Sequence, residues 1–171
     1  MVTHDKDMKN ATTTSDGERA MTTGIEINEE TLQKYIFGEL TWAEIVGFTA
    51  EEAHVAADYG LACIDAGRLD EATTVFEGLL AFNPRDAFAH VARGTIAERQ
   101  GDDTLAFAHY SAALELEPTL VPALLARAEL LLKLGEVELA REDIAAAEAQ
   151  KPEGEDAARL ANLKSRTSEK H

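Results

Sequence analysis

The sequence predicts an all-α chain of tandem helical hairpins, on three observations. Pro84, Pro118 and Pro152 stand 34 residues apart, and Gly67, Gly101 and Gly135 keep the same interval. Ala72, Ala106 and Ala140 each follow a glycine by five residues, and a bulky residue (Phe76, Tyr110 or Ile144) comes four later. Hydrophobic residues make up 45% of the chain but aromatics only 6%, with alanine filling the difference. That balance favours closely packed helices over a sheet of bulky β-branched residues. A fixed period with several landmarks in phase marks a repeat array.

Taken in order, residues 1–26 are polar, rich in Thr, Ser, Asp and Lys, and predict a disordered tail. Their start, MVTHDKDMKN, lacks the apolar run of a secretory signal. Residues 27–52 predict leader helices. NEETLQKYIFGEL has Asn28 as a cap, acids in its first turn and an apolar stripe. Two capping boxes follow, Thr41 with Glu44 and Thr49 with Glu52. The first opens a short helix at TWAEIVG, the second the first repeat helix. Tyr35, Ile36, Phe37 and Trp42 are more large apolar surface than a short terminal helix needs for itself. They predict a homodimerisation segment.

Residues 53–152 hold three repeats, at 53–86, 87–120 and 121–152. In each, the glycine ends a first helix in a left-handed cap, and the alanine lets the second helix approach closely. The bulky residue four later fills the space beside the contact, and proline stops the second helix. The first helices also carry a small residue in register, at Gly60, Gly94 and Ala128. Residues 153–171 predict a capping helix over GEDAARLANLKSR, which a solenoid end requires, and a frayed TSEKH.

The balance of 32 acidic against 16 basic residues gives a formal net charge of −16. Such a chain is repelled by phosphate backbones and anionic lipid, so no nucleic-acid or membrane-surface partner is expected. No apolar run is long enough to span a bilayer, and a cytoplasmic location is expected. Cys63, the one cysteine, lies in the apolar run GLACI and predicts a buried packing residue. The five histidines form no metal-ligand spacing; His90 and His109 are expected to approach each other across one hairpin as ordinary packing. No phosphate loop, nucleophile elbow or Cys–His pairing is present. The reading is therefore of a non-enzyme without cofactor or metal, whose function lies in a binding surface.

The period, with its small, aromatic, small and proline positions in order, resembles the tetratricopeptide repeat. That resemblance implies a short right-handed superhelix whose first helices line a concave face. By register the inward positions are His54, Ala57, Asp58, Leu61 and Ile64 in the first repeat. Phe88, Val91, Ala92, Thr95 and Glu98 follow in the second, and Pro122, Leu125, Ala126, Glu129 and Leu132 in the third. Mainly apolar and small, with acids at intervals, they suit an extended hydrophobic protein segment. Some arrays of this kind clamp a chaperone's C-terminal carboxylate with Lys, Arg and Asn. The corresponding positions here are Ala57, Leu61, Ala92, Pro122 and Ala126, none of which donates a side-chain hydrogen bond.

The run TWAEIVGFTAEEAHVAADYGLACIDAGRLDEATTVFEGLLAFNPRD resembles the start of the class II chaperones of bacterial type III secretion. GDDTLAFAHYSAALELEP and RAELLLKLGEVELAREDIAAA resemble their second and third repeats. The resemblance implies a non-catalytic chaperone that keeps a hydrophobic translocator soluble before export, and a dimer formed through the leader helices. Family grooves often carry several tyrosines, whereas the inward positions here have none. A general tetratricopeptide adaptor is the alternative.

Overall fold

The computed structural model describes residues 28–168. The expected tail at 1–26 lies outside them, as does the end of the expected frayed segment at 169–171. The described residues form nine helices and no strand: α1(Glu29–Ile36), α2(Trp42–Val46), α3(Ala50–Asp65), α4(Leu69–Phe82), α5(Ala87–Arg99), α6(Asp103–Leu116), α7(Val121–Leu134), α8(Val137–Ala149) and α9(Gly154–Ser168).

Local chemistry sets the helix ends. Asn28 caps α1 by accepting from the Thr31 N–H at 2.9 Å. Both capping boxes form, at Thr41 with Glu44 and Thr49 with Glu52. Asp86 and Asp102 cap α5 and α6. The three periodic glycines have φ of 74°, 85° and 88°, the left-handed conformation that side chains with a Cβ resist.

Hairpins α3–α4, α5–α6 and α7–α8 stack in sequence, each second helix also packing on the next first helix. At the centre of each hairpin a small residue meets a large one. A Cβ on Gly60 would stand 2.6 Å from the Phe76 ring, and one on Gly94 2.5 Å from the Tyr110 ring. In the third hairpin Ala128 occupies that position and Ile144 faces it within one buried cluster. The methyl is matched by a narrower partner. Ala72, Ala106 and Ala140 are fully buried, as is Cys63.

Paired polar groups tie the layers together. Arg127 lays its guanidinium fork along both oxygens of the buried Asp143, at 2.8 and 2.7 Å. Tyr110, buried, donates to Glu98 at 3.0 Å; its burial pushes the phenol's pKa well above the ordinary tyrosine value.

At the far end α9 packs on α7 and α8 as a further first helix would. Its Leu160 and Leu163 join the core around Leu124, Leu125 and Leu132. At the near end α2 leans on α4, with Ile45 buried and Phe48 stacked on Phe82 at 4.7 Å.

Candidate functional site

Along the first helices, the inward positions differ in their surroundings. Leu61 is 37% exposed and Phe88 47%, whereas Leu125 is fully buried at 0%. Ile64, Ala92, Ala126 and Leu132 are buried as well. The expectation that all fifteen inward positions present themselves to a client is corrected at these five. Leu125 and Leu132 are covered because α9 supplies Leu160 and Leu163 over α7. Ile64 and Ala92 pack in the cluster of Phe76 and Ile96, and Ala126 in that of Tyr110 and Leu130.

The open part of the inward surface lies at the amino-terminal end. A groove of about 700 Å³ runs between α2, α3, the end of α4 and the start of α5. It brings together five of the expected residues: His54, Ala57, Asp58, Leu61 and Phe88. The period did not disclose its other wall, formed by Thr41, Ala43, Glu44 and Phe48 of the leader with Leu79 and Phe82 of α4. The leader lies outside the 34-residue register, and Phe82 has no aromatic counterpart in the later repeats. The unshared aromatics Phe48, ahead of the first repeat, and Phe82, near its end, were the available signal. Helix α3 starts at the Thr49 capping box, which aims its first turns along the groove. The capping carboxylates of Glu44 and Glu52 are held below the ordinary carboxylate pKa, each by the backbone N–H and then the hydroxyl of its threonine.

The remaining inward residues stand apart from this groove. Thr95 donates to the Val91 carbonyl at 3.0 Å. Glu98 accepts from Tyr110, and Glu129 accepts from Arg159 of α9 at 3.1 and 3.2 Å. Pro122 is half-buried in the first turn of α7.

In the leader, Ile36 and Phe37 are 75% and 76% exposed, with Leu32 and Tyr35 beside them. Trp42 is half-buried and meets Tyr35 edge-on at 6.0 Å. His90 and His109 do approach, with Nδ1 atoms 3.1 Å apart, and the second nitrogen of His90 meets the Pro84 carbonyl at 3.1 Å. Burial first, then Arg93 and His90, lowers the pKa of His109. Among the described residues no group of three or more His, Cys, Asp or Glu side chains is placed to hold a metal ion. No helix among them is long and apolar enough to cross a membrane.

No protein-family model matches the sequence, and no curated protein does. Solved structures do. A type III secretion complex from Aeromonas hydrophila is 22% identical at a TM-score of 0.72, covering 82% of this chain and 94% of that one. The translocator chaperone SycD of Yersinia enterocolitica is 19% identical at 0.66, covering 75% and 96%. The same chaperone in complex with a peptide of the translocator YopD is similar at 0.62, with 17% identity and coverage of 72% and 98%. The TPR2B domain of yeast Sti1, in a pHsp70 complex, is 20% identical at 0.62, covering 71% and 100%. The chain thus has a tetratricopeptide-repeat fold, similar to that of type III secretion translocator chaperones.

Proposed function

We propose that the chain is a non-catalytic cytoplasmic chaperone whose concave groove holds an extended apolar segment of a type III secretion translocator, keeping it soluble before export. The observation that carries this reading is the groove walled by the leader and the first repeat, where Leu61 and Phe88 stand open. Their side chains would be covered by a bound segment, and Ala53 and Ala57 leave room for its own. The likeness to a chaperone in complex with a translocator peptide supports the reading.

Leu61→Asp and Phe88→Asp test it, because a carboxylate there would be desolvated without a partner once a client is bound. Co-expressed with a candidate translocator, both variants should keep their helical circular dichroism and lose the client from the soluble fraction. A client held by both would refute the reading. Leu125→Asp is unsuited to this test, since a carboxylate at a fully buried position breaks the core itself.

The exposed leader residues support self-association: deletion of residues 1–48 should turn a homodimer into a monomer, and a full chain found monomeric by light scattering at every concentration would end that idea. A general adaptor is the alternative, favoured by the comparable likeness to the Sti1 domain. It follows if the groove variants lose a partner other than a translocator in pull-downs from the native cell.

A further inference from the structure

We propose that the segment held in the groove carries a lysine or arginine beside its apolar anchors, placed to meet Asp58. This inference rests on the groove reading above and adds the chemistry of the occupant.

Three inward positions carry carboxylates, and their surroundings differ. Glu129 is matched by Arg159 of α9, and Glu98 accepts from the Tyr110 hydroxyl. Among the described residues Asp58 has only the Nε2 of His54, at 3.7 Å, with side chains 64% and 78% exposed respectively. Two more carboxylates, Glu44 and Asp86, line the same groove, and among the described residues no lysine or arginine does. Both serve as caps, Glu44 accepting from the Thr41 N–H at 2.7 Å and Asp86 from the Ala89 N–H at 3.0 Å. Capping fixes where they sit, and neither has a cationic partner among the described residues. Among the cations of the repeats, Arg93 pairs with Glu77, Arg127 with Asp143 and Lys133 with Asp103, while Arg85, next to Asp86 in the chain, turns to the Gly38 carbonyl at 3.5 Å.

The groove therefore combines an apolar floor with uncompensated negative charge. An uncharged segment would strip water from Asp58 and give it nothing in return. An acidic segment would add like-charge repulsion. A basic side chain supplies the missing partner, in surroundings where partial exclusion of water strengthens the attraction.

Labelled peptides with Leu at alternate positions, and Lys, Gln or Glu between them, test this by fluorescence anisotropy. The Lys peptide should bind tightest, about tenfold above the Glu peptide at low salt, with the gap closing as salt is raised. Asp58→Asn should shrink the advantage of Lys over Gln, and Asp58→Lys should reverse the order of the Lys and Glu peptides. Asp58 is mostly exposed, so circular dichroism should show both variants folded. Equal affinities, or an order unchanged by Asp58→Lys while Leu61→Asp abolishes binding, would overturn the inference and leave the groove reading standing. Binding of all three peptides unaffected by Leu61→Asp would remove the groove reading and this inference with it.

Discussion

Adding one methyl group at Gly94 tests the packing rule that repeats through the array. The new Cβ of Gly94→Ala would lie 2.5 Å from Cε1 and 2.6 Å from Cδ1 of Tyr110. Reaching ordinary van der Waals contact requires the ring to retreat by about 1 Å. Tyr110 is buried and its hydroxyl is bound to Glu98 and Thr95, so the ring has little freedom to move. Overpacking of this kind costs about 1–3 kcal/mol, offset by about 1 kcal/mol for replacing a mid-helix glycine with alanine. The net expectation is a loss of up to about 2 kcal/mol, a fall in melting temperature of up to about 8 °C for a chain of this size.

The third repeat shows the remedy, since Ala128 faces Ile144 there. In a double-mutant cycle by urea denaturation, Gly94→Ala with Tyr110→Ile should cost less than the two single changes summed, by about 1 kcal/mol or more. Gly94→Ala alone raising stability, or a cycle additive to within about 0.3 kcal/mol, would refute the reasoning.

Two further predictions concern charge inside the array. The pKa of His109 lies below the ordinary 6.5, so as pH falls beneath that value the unfolded chain takes up a proton that the native chain refuses. Stability is therefore fully present above 6.5 and is lost as pH falls through the native value; urea midpoints measured across this window should decline, and less steeply in His109→Asn. Asp143→Ala leaves the Arg127 fork without its acceptor and should cost about 3 kcal/mol by denaturant titration, whereas Arg127→Met with Asp143→Leu should recover most of the loss.

Much of this fold was legible because proline, glycine and alanine mark backbone events that every repeat must perform. Gly67, Gly101 and Gly135 each end a first helix in the left-handed conformation, whatever surrounds them. The site was legible only in part, because a period fixes where a side chain points within its own hairpin and says nothing of what lies opposite. Ala57, Val91 and Leu125 share one register position; the first two are half-buried and Leu125 is sealed beneath α9. The leader wall escaped the reading for the complementary reason: Phe48 belongs to no repeat, so nothing in the array announces it. The two histidines were placed near each other because they sit on adjacent helices of one hairpin, where sequence distance still maps directly onto space.

The seating of α9 has a consequence for how such a chain can change length. It occupies α7 and α8 in the manner of a next first helix, with Arg159 on Glu129 and Leu163 sealed in the core. An additional 34-residue unit entering between α8 and α9 would meet a surface already shaped for a first helix, and would offer α9 a similar surface in turn. A unit added beyond α9 would meet Asn162 and Arg166, which face solvent. Lengthening by duplication is thus open ahead of the last helix and closed behind it.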